Sequence, residues 1–226
     1  MSESHTPDPA QALLDAALSH VPFDGWSSAT LSAAARDADV SPALARALYP
    51  RGAVDLALAY HRRGDAEMVR RLTAADLSEL RFRDRIAHAV RLRLDGADRE
   101  LVRRGATLFA LPPHAADGAR AVWGTVDAIW TALGDTSDDI NWYSKRATLS
   151  GVYSATVLYW LGDETPDAEA TWAFLDRRID NVMQFEKVKA RVTSGPMGRV
   201  LAGPLSVLER VRKPGGRRGF PGSVGG

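Results

Sequence analysis

Five histidines, His5, His20, His61, His88 and His114, are the obvious candidates for metal or proton chemistry, and they are scattered along the chain. No H-E-x-x-H or E-x-x-H pair puts two ligands, or a ligand and a base, on one helix face. The chain has no cysteine, which excludes disulfides, thiolate zinc sites and cysteine nucleophiles. No G-x-S-x-G elbow is present to expose a nucleophilic serine. The adjacent carboxylates Asp138-Asp139 and Asp163-Glu164 fall at expected helix starts or turns, where acids favour the helix dipole. Helix capping explains them better than acid–base work. The residues therefore point away from an enzyme and call for no metal or cofactor.

The elements that would position a site are all helical. Ala, Leu, Arg, Asp and Glu dominate, and apolar residues recur at three- and four-residue spacing. The periodicity predicts about nine or ten helices. The first spans about Pro9 to His20, and a short one follows from Ser27 or Ser28 to Asp37. A third, with Ser41 as N-cap, stops before Pro50. A fourth is expected from Gly52 through Val69, and one continuous helix from Arg83 to Arg104. From Ala115 to Leu133, Trp123, Val126, Trp130 and Leu133 share a stripe. Between Trp142 and Leu161, Leu149, Val152, Tyr153, Thr156, Val157 and Trp160 form another. That helix is apolar nearly all round, so it is central in a bundle or lines an apolar cavity. The last predicted helix of the body opens at Thr165-Pro166, ends near Phe185, and carries Trp172, Leu175, Ile179, Val182 and Met183 on one stripe.

The net charge of +1 hides an asymmetry, because nine Lys and Arg lie between Lys187 and Gly226 against the single acid Glu209. A basic tail on an acidic body suits an anionic surface. Met197, Val200, Leu201, Leu205, Leu208 and Val211, with Arg199, Arg210, Arg212 and Lys213 beside them, are the residues expected to bind a membrane as an amphipathic helix. Gly203-Pro204 should kink it. The polar start, MSESHTPDPAQ, has no apolar signal core, and no apolar run reaches the ~20 residues of a membrane span. A cytoplasmic bacterial protein, peripheral to the inner face of the membrane, is expected.

The stretch LLDAALSHVPFDGWSSATLSAAARDADVSPALARALYP resembles the N-terminal helix-turn-helix of TetR-type regulators. Its order matches: an amphipathic helix, the Gly25-Trp26 turn, a helix, Val40-Ser41, a short recognition helix, then a long connector. Its chemistry departs from that resemblance. The recognition helix has one cation, Arg46, and from Arg36 to Tyr60 three Arg are balanced by Asp37, Asp39 and Asp55. DNA affinity rests mainly on cations that displace counterions, so no nucleic-acid partner is expected. A ligand-responsive transcriptional regulator is the alternative reading.

The carboxy-terminal half, DINWYSKRATLSGVYSATVLYWLGDETPDAEATWAFLDRRIDNVMQFEK, resembles the lipid-binding accessory family of ubiquinone biosynthesis, the ninth protein of the coenzyme Q set. The matching pieces are Asn141-Trp142-Tyr143 with Lys145-Arg146, the turn from Asp163 to Asp167, Trp172 with Phe174-Leu175, and Arg178 followed by Asn181. The resemblance implies an all-α, TetR-like bundle with a degenerate N-terminal helix-turn-helix and a C-terminal amphipathic helix. It implies an apolar pocket for a lipid or isoprenoid quinone intermediate, and often a homodimer. Its expected partner is the di-iron demethoxyubiquinone hydroxylase. On that basis Trp123, Val126, Trp130, Leu149, Tyr153, Thr156, Leu175, Ile179 and Val182 are the candidate lipid-binding residues. Trp160, Leu161, Asp163, Asp167, Trp172 and Arg177 surround one corner, assigned to the partner because aromatic and Arg side chains favour interfaces. The resulting division is a disordered start over 1–8, the degenerate module over 9–50, a helical lipid-binding domain over 51–190, the membrane helix over 191–213 and a disordered tail over 214–226.

Overall fold

A computed structural model describes residues 8–136 and 140–194. The candidate membrane residues from Met197 to Val211 lie outside the described residues, as do Asp138 and Asp139. Among the described residues all regular structure is helical.

Three short helices form the N-terminal module. They are α1 (Pro9–Asp24), α2 (Ser28–Asp37) and α3 (Pro42–Leu48). Each starts where a side-chain oxygen can accept an otherwise orphaned N–H. Asp8 accepts from Ala10, Ser27 from Thr30 and Ser41 from Leu44. The first helix continues past His20 to Asp24 despite Pro22, and ends at Gly25, whose φ of 64° suits glycine. Leu13, Leu14, Ala17, Val21 and Leu31 close the module's core, and Leu56, Ala57 and Leu101 reach into it from the body.

The body comprises α4 (Ala53–Ala74), α5 (Phe82–Asp95), α6 (Arg99–Ala110), α7 (Ala115–Ala132), α8 (Ile140–Leu161) and α9 (Glu169–Ser194). A single 3₁₀ turn precedes α7 at Pro112–His114, and another precedes α9 at Pro166–Ala168. The continuous helix expected from Arg83 to Arg104 is two. Apolar periodicity runs straight through the break, but Gly96 weakens the helix, and the Asp98 carboxylate accepts from Glu100 and Leu101 to start a new one. The break turns α6 toward the N-terminal module, where Leu101 joins that core. The fourth helix extends beyond Val69 to Ala74, and the last extends beyond Phe185 to Ser194.

The second core joins α4, α5, α7, α8 and α9 around Met68, Val90, Val126, Ile129, Leu149 and Leu175. An arginine and a lysine hold one of its seams. Arg146, 2% exposed, donates to Asp127 and Asp135 and lies 4.1 Å from the Trp142 ring centroid. Lys145 donates to the other oxygen of Asp135. The N-W-Y-x-K-R run thus clamps the start of α8 to the end of α7. The module is tied to the body by Trp26, which donates to the Leu101 carbonyl, and by Arg51, which donates to Asp55 and Asp117.

Candidate functional site

Two cavities, each about 320 Å³, lie on different faces of α8. The first is bounded by α4, α5, α6, α7 and α8, with Trp26 of the N-terminal module closing one side. It exists because facing positions carry small side chains. Gly105 and Ala106 of α6 meet Gly118, Ala119 and Ala121 of α7, leaving space where larger residues would make ordinary core. The two helices approach closely at Gly118, where a Cβ would sit 2.7 Å from Phe109 Cβ. Leu158 lines this cavity yet is 67% exposed, so the space opens past α8.

One wall is polar. Arg93 is 5% exposed, and its Nε donates to Asp65 Oδ1 at 2.7 Å while Nη2 donates to the His61 carbonyl at 3.2 Å. Gly64 makes room for it: a Cβ there would lie 2.8 Å from the guanidinium carbon. Thr125 donates to Asp65 Oδ1 at 2.9 Å, and His61 Nε2 lies 2.8 Å from Thr125 Oγ1. His61 Nδ1 is 3.4 Å from Arg93 Nη2 and must accept there, so Nε2 carries the proton. Burial holds His61 below its ordinary pKa, outweighing the upward pull of Asp65. Burial raises Tyr153, whose hydroxyl reaches Thr125. His61, Arg93 and Tyr153 all face the cavity. Asp65 and neutral His61 leave the cluster without net charge.

The second cavity is bounded by α5, α7, α8 and α9, where the large side chains of Phe82, Ile86, Trp130, Leu149, Ile179 and Val182 share the walls with Ser144, Lys145 and Thr148. Trp130, 7% exposed, has an indole Nε1 with no hydrogen-bond partner. The Lys145 ammonium lies 5.3 Å from its ring centroid.

The candidate lipid residues divide among four places. Tyr153 lines the first cavity, and Trp130, Leu149, Ile179 and Val182 line the second. Val126, Thr156 and Leu175 are fully buried between them. Trp123 packs its ring 5.9 Å from that of Trp142. The sequence reading missed the small residues and the cluster around Arg93. A signal existed: Arg93 continues the stripe Ile86, Ala89, Val90 at helical spacing, placing a cation on a buried face. His61 and Asp65 share a face of α4 at i, i+4.

The candidate partner corner is part buttress and part surface. Trp160 is 5% exposed and packs under Arg99. The Asp163 carboxylate accepts from the backbone and hydroxyl of both Thr165 and Thr171, which holds it well below the usual carboxylate range and starts α9. The Leu161 carbonyl accepts from Arg103. Trp172 is half-buried, donates to the Asp167 carbonyl at 2.8 Å and lies beneath Arg91. Asp167 and Arg177 are exposed. No described helix is long and apolar enough to cross a membrane.

An all-helical bundle with a helix-turn-helix module at one end and cavities in the body is the TetR-type architecture. The crystal structure of a TetR transcriptional regulator from Nitrosomonas europaea superposes with a TM-score of 0.63 at 23% identity, over 76% of this chain and 97% of that one. Within that architecture the carboxy-terminal half is distinctive, and a model of the COQ9 family matches residues 115–186. The mitochondrial ubiquinone biosynthesis protein COQ9 of Xenopus tropicalis is 31% identical over 184 residues, 76% of this chain and 57% of that protein. Its counterpart in Rattus norvegicus is 31% identical over 191 residues, 80% of this chain and 61% of that protein. The human counterpart is 29% identical over the same length, again 80% of this chain and 60% of that protein. The chain belongs to the COQ9 family.

Proposed function

We propose that this chain is a non-catalytic, lipid-binding accessory protein of ubiquinone biosynthesis. Its ligand is an isoprenoid quinone intermediate, which it presents to the di-iron demethoxyubiquinone hydroxylase at a membrane surface. The observation that carries the reading is the first cavity: about 320 Å³ of largely apolar space, open past Leu158, in a member of the COQ9 family. That volume lies at the small end of ligand pockets. It takes a head group or a short run of tail and leaves the rest of a long isoprenoid outside. The exposed parts of the corner, Asp167, Arg177 and the accessible edge of Trp172, meet the hydroxylase, while Trp160 and Asp163 hold the corner's shape from within. The basic tail beyond residue 195 docks on anionic lipid, and the working unit is a homodimer.

Native mass spectrometry with lipid extraction, on the protein alone and mixed with the hydroxylase, tests this. A bound isoprenoid or phospholipid and a stable complex are expected. A lipid-free protein that ignores the hydroxylase would overturn the reading and return attention to a ligand-responsive regulator.

A further inference from the structure

The second cavity opens beside Phe82, a large apolar side chain that is 46% exposed, and the Trp130 indole N–H on its wall is buried without a partner. A finished core seldom leaves either. The course of α9 shows which part of the chain comes next to this groove. The helix runs antiparallel to α5: Arg91 meets Asp176, and further along Arg83 meets Asp180. It contributes Ile179 and Val182 to the groove and continues as a helix to Ser194. Ser194 is fifteen residues beyond Ile179, about 22 Å at the rise of an α-helix.

The sequence then turns. Gly195-Pro196 stops a helix, because proline lacks the N–H and disfavours helical backbone at the residue before it. Met197 to Val211 is again fifteen residues, with an apolar stripe. Laid back along α9 as a helical hairpin, that stretch covers the same length in reverse. Leu208 and Val211 then come level with Val182 and Ile179, beside the exposed Phe82 ring. The break at Gly203-Pro204 lets Leu205, Leu208 and Val211 settle at their own angle. The link is only two residues long, so the segment's effective concentration at the groove is millimolar or more, which favours it over a second copy. Charge acts in the same direction, since the tail is basic and the rest of the chain acidic.

We propose that the groove between α5, α7, α8 and α9 is the resting berth of this chain's own segment 197–211, which leaves it to enter a membrane. Release rests on the membrane-docking reading; the berth does not. One apolar stripe cannot serve both places at once, so the groove and the bilayer compete for it.

The chain has no cysteine, so a pair introduced as Thr148→Cys and Leu208→Cys in the full chain reports the berth without background. A short bismaleimide should join the two within one molecule in solution, read by intact and peptide mass spectrometry. Vesicles of phosphatidylglycerol and phosphatidylcholine in equal parts should suppress that cross-link. Thr148→Lys, which puts a cation on the groove wall, should evict the segment and tighten vesicle binding about tenfold, as expected if about one chain in ten is undocked at rest. Unchanged helicity in that variant excludes a folding artefact. No cross-link, with vesicle binding the same in Thr148→Lys, would overturn the berth and leave membrane docking standing. A cross-link formed only between two chains would overturn it in favour of a second copy. A cross-link that persists on vesicles would overturn the release. A cross-link in a protein that binds no vesicles would keep the berth and overturn the membrane reading.

Discussion

The two cavities have the same volume and share α8, yet they are built in opposite ways. The first is hollow because its facing helices carry Gly and Ala, and its one polar wall is tied into a network that reaches α4, α5 and α7. The second is a gap between large side chains, with an unpaired indole N–H at its edge and an ammonium over the same ring. In the first the polar side chains are engaged with one another. In the second an unpaired indole N–H sits among large side chains. Volume alone does not separate the two, whereas the hydrogen-bond accounting does.

The sharpest way to break this contrast is to remove one cation from each. Arg93→Met leaves Asp65 buried against Thr125 and His61 without its counter-charge, and unpairing a buried ion typically costs about 3–5 kcal/mol. Lys145→Met leaves Asp135 with Arg146, so the loss should be about 1 kcal/mol or less. Urea unfolding of the two variants measures both, and equal losses would show that the Arg93 cluster is no more structural than the Lys145 pair. Filling each space comes next. Ala106→Leu should cut retained lipid about tenfold, the loss of roughly 1.4 kcal/mol of binding, and Thr148→Leu, in the second cavity, should leave it unchanged. The opposite pattern in extracted lipid would move the ligand to the second cavity.

A smaller contrast uses the two tryptophans at the cavity walls. Trp26 Nε1 donates to the Leu101 carbonyl at 3.2 Å, whereas Trp130 Nε1 has no partner. Replacing each by Phe removes similar volume. Only Trp26→Phe also loses a hydrogen bond, to a carbonyl that keeps its partner inside α6, which should cost about 1 kcal/mol more. Thermal unfolding of the pair gives the difference directly. A Trp130→Phe variant as damaged as Trp26→Phe would mean that the Trp130 indole is satisfied in solution.

Much of this was legible in the sequence. Ser27, Ser41 and Asp8 announce helix starts through a local mechanism, a side-chain oxygen meeting an N–H two or three residues on, and such signals need no tertiary context. The apolar stripe of α8 likewise foretold a central helix. The break at Gly96 was hidden because the apolar period continues across it. The cavity was hidden for a related reason. Periodicity finds large residues that make core, so Val126, Thr156 and Leu175 fit the pattern for a pocket and are packed solid. Empty space is written instead in Gly105, Ala106, Gly118 and Ala119, whose significance depends on which helices face each other. The Arg93 cluster joins residues 28 to 64 positions apart, a pairing only the fold makes.

The least disruptive probe of the first cavity is the proton. His61 is buried with Nδ1 turned to Arg93 and Nε2 to Thr125 and the Ala121 carbonyl, and Asp65 on its own helix lies 3.5 Å away. Burial lowers its pKa from the ordinary 6.5 more than Asp65 raises it, and Arg93 and Arg62 push the same way as burial. The sign follows from which state binds the proton first. As pH falls through 6.5 the unfolded chain protonates His61 while the folded chain does not, so stability declines below that value and is insensitive to this group above it. Midpoints of thermal unfolding between pH 7.5 and 5.5 should therefore fall faster for the wild type than for His61→Gln, the carboxylates being common to both. Parallel curves would mean that His61 protonates without cost, that Nδ1 does not depend on accepting from Arg93, and that the wall is looser than its hydrogen bonds imply. A steeper fall in the wild type would show a neutral imidazole maintained by the fold, a property the second cavity has no histidine to provide.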